Sequence, residues 1–63
     1  MDKETLELIC EELQVWRDAQ KRAADSGTVP FHDAVALRGR AEMVDLLITQ
    51  VGFEIAEINR KED

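Results

Sequence analysis

The side chains of this sequence best suited to chemistry are carboxylates, and two of them stand at helical spacing. Glu42 and Asp45 form an E-x-x-D pair in a stretch typical of a helix, so both project from one face. Carboxylates paired in this way can hold a magnesium ion that binds nucleotide phosphates. Glu11 and Glu12 are predicted to lie level with them on a preceding helix. The same spacing arises by chance in an acidic helical chain, and a solvated face is the simpler interpretation.

In these few residues the chain resembles the all-α nucleoside triphosphate pyrophosphatases. The resemblance implies a magnesium-dependent nucleotide hydrolase that uses Glu42 and Asp45. That family places an E-x-x-E pair opposite its E-x-x-D. Here the available pair is Glu4 and Glu7, at a different level of the predicted hairpin. This enzyme is therefore the alternative, and the main prediction is a protein with no catalytic, cofactor-binding or metal-binding residues.

The remaining reactive side chains have equally simple interpretations. A basic group near the predicted turn could hold an anion, although neighbouring aspartates make a solvated face the better explanation; it comprises Arg17, Lys21, Arg38 and Arg40. His32 has no serine or cysteine nucleophile placed beside it. Cys10 is the only cysteine, so it forms no intramolecular disulfide and is interpreted as a small core residue in a reducing compartment.

The elements that must position these side chains are two helices. Nothing breaks a helix from Lys3 to Ala24, and no proline follows Pro30, which predicts an all-α antiparallel hairpin with helices at about 3–24 and 31–60. Residues 1–63 then form a single helical-hairpin domain. Between the helices, "DSGTVP" is the only cluster typical of a turn. Gly27 suits a left-handed position after the first helix, and Thr28 is a candidate N-cap for the second.

Apolar residues at three-four spacing define one seam on each helix. On the first helix the seam is Leu6, Ile9, Leu13, Trp16, Gln20 and Ala23, with Gln20 its one polar member. On the second it is Ala34, Leu37, Ala41, Val44, Ile48, Val51, Ile55 and Ile58. Met43 and Leu47 flank this second seam.

A chain of 63 residues is near the lower size limit for a stable single core. Further apolar residues lie outside both seams, which indicates a second chain. If the turn is centred between Asp25 and Pro30, residues whose numbers add to about 55 lie level, and the end of the second helix overhangs the first. We therefore predict a homodimeric four-helix bundle or a higher oligomer. Its predicted interface residues are Leu8, Val15, Trp16, Val35, Gly39, Leu46, Phe53, Ile55 and Ile58.

The net charge of −6 argues against nucleic acid as a partner. No apolar run is long enough for a membrane span and the N-terminus lacks the features of a signal peptide, so we expect a cytoplasmic protein with no membrane partner. In the predicted alignment of the two helices, acidic side chains lie at the open end of the hairpin and basic side chains lie near the turn. An antiparallel pairing of two hairpins would join unlike ends and cover Ile55 and Ile58 with the partner's Val29 and Phe31. The candidate acidic partner-binding pole consists of Glu4, Glu7, Glu11, Glu54 and Glu57.

The function predicted from these features is that of a small acidic, non-catalytic helical protein acting through protein-protein interaction. Such a protein would be an oligomeric adaptor, inhibitor or assembly factor, of the kind found as accessory proteins in phages and bacteria. Besides the nucleotide hydrolase, a second alternative is a DNA mimic whose acidic pole blocks a DNA-binding protein.

Overall fold

Two helices make up the computed structural model, which describes residues 2–62. Helix α1 spans Lys3–Asp25 and helix α2 spans Phe31–Glu62. They pack side by side in opposite directions, which confirms the all-α antiparallel hairpin. Within the described residues, neither helix is both long and apolar enough to cross a membrane.

Helix α1 begins with a side-chain cap. The Asp2 carboxylate accepts a hydrogen bond from the Thr5 backbone N–H at 2.8 Å, satisfying one of the amides that a helix start leaves without a partner. Hydrogen bonding to Thr5 lowers the pKa of the Asp2 carboxyl. The charges of Glu4 in the first turn and Arg22 in the last turn suit the helix dipole.

The turn confirms one expectation and corrects another. Gly27 has φ 77°, a left-handed conformation that glycine adopts at little cost, immediately after the C-cap residue Ser26. Thr28 does not cap α2, which begins at Phe31 and whose first hydrogen bond runs from the Ala34 N–H to the Pro30 carbonyl at 3.0 Å. The Thr28 hydroxyl instead bonds Ser26 Oγ at 2.7 Å.

The core lies along the seam between the helices. Its most buried residues are Leu6, Gln20, Ala24, Ala41 and Val44, of which Ala41 is completely enclosed. All eight predicted seam positions of α2 are buried or half-buried, so that seam is confirmed.

On α1 the predicted seam is wrong at one position. Trp16 is 54% exposed. Beyond Leu13 the seam continues through Arg17, Gln20 and Ala24, which keep a three-four spacing from Leu13. The pattern of apolar residues missed this path because Arg17, which takes the place of Trp16 in the seam, is charged.

The predicted alignment of the helices is also wrong. The ion pairs between the helices, such as Arg17 with Asp45 and Lys3 with Glu62, join residues whose numbers add to 62–66 instead of 55. The reason is the connection at 26–30, which carries the chain along the helix axis before α2 begins. Helix α2 therefore extends past α1 at the turn, where Phe31 is 83% exposed. At the open end, by contrast, Lys3 and Glu62 come within 4.0 Å, and α2 has no long overhang there.

The hairpin is a rod measuring 49 × 15 × 14 Å. Its radius of gyration is 14.6 Å, whereas a compact domain of this length has about 10.6 Å. Its accessible surface is 4868 Å², and a folded monomer of this mass is expected to expose about 4,100 Å². The hairpin therefore exposes about 770 Å² more than a compact monomer of its size.

Candidate functional site

One long face of the hairpin is held by ion pairs between the helices. Arg17 Nη1 lies 2.7 Å from Asp45 Oδ1, and Lys21 Nζ lies 3.8 Å from Asp45 Oδ2. Nearer the turn, Arg38 Nη2 donates to Asp25 Oδ1 at 2.6 Å. These five residues define what we call the ion-paired face.

The pair at the centre of this face keeps both partners charged. The hydrogen bond from Arg17 lowers the pKa of the Asp45 carboxyl, and the charge of Lys21 acts in the same direction. Reciprocally, hydrogen bonds to Asp45 and then to Asp18 raise the pKa of Arg17. Arg17 is the more enclosed of the two, with 24% of its side chain exposed.

A shallow hollow of about 470 Å³ lies on the ion-paired face. It is lined by Lys21, Asp25, Arg38, Glu42 and Asp45, three carboxylates and two cations. Of the predicted basic group, Arg17, Lys21 and Arg38 gather on this face. Each has a carboxylate within ion-pair distance, so all three are already paired within the hairpin itself.

The carboxylate arrangement expected for a magnesium site is not formed. Glu42 and Asp45 lie level with Gln20 and Arg17, and Asp45 is occupied by its ion pairs. Glu11 and Glu12 lie closer to the open end, level with residues 50–52. Among residues 2–62, no group of three or more His, Cys, Asp or Glu side chains is placed to hold a metal ion.

The ion pairs also reveal which side chains share the opposite face. With about 100° between successive residues of a helix, Arg17 lies to one side of the α1 seam and Trp16 to the other. On α2, Asp45 lies to one side of the seam and Leu47 to the other. Since Arg17 meets Asp45, Trp16 and Leu47 must lie together on the other face, and they are almost level.

That second face carries a cluster of apolar side chains. It presents Trp16 and Ala19 from α1 beside Met43 and Leu47 from α2, and we call these four residues the apolar face. Met43 is 67% exposed and Leu47 53% exposed. A shallow hollow of about 510 Å³ runs beside Trp16 and is lined by Glu11, Glu12, Val15, Trp16 and Ala19.

The predicted interface residues do not form one surface. Leu8 and Val15 lie on the outer side of α1, next to the apolar face, and both are exposed. A separate row on α2, opposite its seam, comprises Val35, Gly39, Leu46 and Phe53, and we call it the outer stripe. Ile55 and Ile58 are half-buried and belong to the seam.

Sequence reasoning left Met43 and Leu47 out of the predicted interface. Both residues flank the α2 seam in the sequence pattern, but helical periodicity alone does not tell which flank of α2 faces which flank of α1. Charge is the sequence feature that could have shown which flank of α1 adjoins which flank of α2. Arg17 and Lys21 mark one side of α1, and Asp45 marks the corresponding side of α2.

The five glutamates of the predicted acidic pole fall into two groups. Glu4, Glu7 and Glu11 form a row along α1 and line a hollow of about 290 Å³ together with Leu8. Glu54 and Glu57 lie on α2, where Glu57 pairs with Arg60. The pole is therefore divided between two helices.

The two other candidate reactive residues take no part in these faces. His32 is exposed in the first turn of α2. Cys10 is half-buried, and the Gln14 side-chain amide lies 3.5 Å from its sulfur. Neither residue has a nucleophile and base arrangement around it in the described part of the chain.

No protein-family model, no curated protein and no solved structure matches this chain.

Proposed function

We propose that this chain is a non-catalytic helical protein that acts through protein-protein interaction and assembles as a homodimeric four-helix bundle. The observation that carries the proposal is the apolar face, where three large apolar side chains lie together and more than half exposed. A cluster of exposed apolar side chains on a small protein is typical of an interaction site.

The total surface of the hairpin supports the same proposal. The excess of about 770 Å² over a compact monomer is close to the roughly 800 Å² that each partner buries in a standard interface. A second hairpin packed on the apolar face would supply a four-helix core, in which each helix has two neighbours.

The ion-paired face supports a role without catalysis. Asp45 belongs to the carboxylate pair on which the alternative nucleotide hydrolase depends, and here it is bound by Arg17 and Lys21. A carboxylate already neutralised by two cations is a poor magnesium ligand. The half-buried free thiol of Cys10 fits a reducing compartment such as the cytoplasm.

Sedimentation equilibrium over a wide range of protein concentrations tests this function. We expect a mass of two chains at high concentration, and a thermal unfolding midpoint that rises with concentration because association stabilises the folded chain. A monomer at every concentration would contradict the proposed assembly. Magnesium binding in calorimetry, together with nucleotide hydrolysis that is lost in Glu42→Gln, would instead favour the enzyme.

A further inference from the structure

We infer that the apolar face binds a second copy of this chain in one orientation, with the two turns at opposite ends and α2 packed antiparallel on α2 of the partner. This inference rests on the proposed function and specifies its interface. It commits to Trp16, Ala19, Met43 and Leu47 as the surface that is covered.

The position of the apolar face along the rod supports a two-fold axis at its centre. Leu46 and Leu47 are the two central residues of the 32-residue helix α2, and of these only Leu47 lies on the apolar face. With the two-fold axis at Leu47, the α2 helices of the two copies therefore overlap along nearly their whole length. Any axis nearer to an end of the rod would leave part of each α2 uncovered.

Charges at equal distances from that axis select the orientation. Arg40 and Glu54 lie on the same side of α2 as Leu47, seven residues before it and seven residues after it, which is about 10 Å in each direction. With the turns at opposite ends, Arg40 of one copy comes level with Glu54 of the other. By symmetry, the dimer contains two such Arg40–Glu54 pairs. Among residues 2–62, neither side chain has an ion-pair partner within its own hairpin.

The alternative two-fold arrangement places both turns at one end. Helix α2 then packs on α1 of the second copy, and the acidic open ends are brought together. Like charges brought together at an interface disfavour that orientation. Both arrangements cover the same four apolar residues, so charge decides between them.

Disulfide trapping tests the inferred axis, using a Cys10→Ala background. Residues beside a two-fold axis face their own copies, so we expect Leu47→Cys to form a covalent dimer rapidly under mild oxidation. The control Leu46→Cys introduces the same thiol at the next residue, on the outer stripe, and should crosslink slowly. Rapid crosslinking by Leu46→Cys but not by Leu47→Cys would overturn the inference.

Charge exchange tests the orientation independently. We expect Arg40→Glu to weaken the dimer by at least tenfold in dissociation constant, and the double variant Arg40→Glu with Glu54→Arg to recover most of that loss. Strengthening by Arg40→Glu alone would contradict the inference.

The failure of this inference can be distinguished from failure of the proposed function. A native protein that sediments as a dimer but is not dissociated by Leu47→Asp, while Leu46→Asp dissociates it, retains the function and loses the inferred interface. A native protein that is monomeric throughout loses both. Because Leu46 and Leu47 are both more than half exposed in the hairpin, neither substitution removes a core side chain.

Discussion

The two long faces of the hairpin use the same helices and have opposite chemistry. On the ion-paired face, charged side chains from α1 and α2 satisfy one another across the seam, as Arg17 and Asp45 do. On the apolar face, Trp16 and Leu47 lie beside each other and remain largely open to solvent. Charged side chains that are paired within one chain gain little from a partner. Large apolar side chains left exposed are stabilised when another surface covers them.

The largest effect is expected from removing the tryptophan of the apolar face. Trp16→Ala should weaken the dimer by about 2 kcal/mol or more, because buried aromatic residues dominate the binding energy of protein interfaces. Phe53→Ala is the matched control, since Phe53 is a similarly exposed aromatic residue on the outer stripe. Dissociation constants from sedimentation would give the comparison, and a larger loss from Phe53→Ala would reverse the roles of the two surfaces.

A buried amide in the seam between the faces should give the next largest effect. Gln20 is 8% exposed, and its Oε1 atom has no hydrogen-bond partner among residues 2–62. Leaving a buried acceptor unpaired costs about 1–3 kcal/mol, so Gln20→Leu should raise the free energy of unfolding by at least about 1 kcal/mol. Gln14→Leu, at an exposed position, should change it by less than about 0.5 kcal/mol. Urea denaturation measures both, and a loss of stability in Gln20→Leu would contradict the expectation.

Two glycines of α2 test whether the outer stripe takes part in assembly. A Cβ atom at Gly39 or Gly52 would meet nothing within 4 Å, so alanine at either position should stabilise the helix by about 0.5–1 kcal/mol. Thermal unfolding of Gly39→Ala and Gly52→Ala should show the same gain in both. If Gly39→Ala weakened the dimer and Gly52→Ala did not, a neighbouring helix would have to approach the outer stripe closely.

The smallest effect is expected from breaking the ion-paired face. The pKa of Asp45 is lowered by folding, so the stabilisation it provides is complete above its unfolded pKa of about 3.9 and is lost as the pH falls through its lower folded pKa. Asp45→Asn should therefore reduce the melting temperature slightly at pH 7, and the difference from the native protein should disappear in strong acid. Glu11→Gln serves as an exposed control. A difference that persists unchanged in acid would mean that the ion pair is not its cause.

The sequence predicted the hairpin, the bounds of both helices to within two residues, the left-handed glycine and the full α2 seam. These depend on local preferences and on one strong apolar period. The relative level of the helices was wrong by about seven to eleven residues, or two to three helical turns. A three-four pattern fits equally well after a shift by whole turns, so periodicity could not reveal the error. In the incorrect alignment Arg17 would lie level with Arg38, whereas in the structure it meets Asp45.

The candidate site was less predictable than the fold. Trp16 was identified for the interface, but it was grouped with Leu46 and Phe53, which lie on a different side of the hairpin. Assigning residues to a common face requires two facts. One is which residues of the two helices lie side by side, and the other is which flank of α1 adjoins which flank of α2. Both depend on the path of residues 26–30, and no periodic pattern in the helices encodes that path.

The extension of α2 past α1 at the turn has a consequence for the motions of the chain. The first turn of α2, from Phe31 to Ala34, lacks a neighbouring helix, and its backbone amides are close to solvent. Segments with few buried contacts open locally without unfolding the whole protein. Hydrogen exchange should therefore be fast in this first turn and slow around Val44, and in an antiparallel dimer each fast-exchanging turn would lie beside the C-terminal end of the other copy's α2.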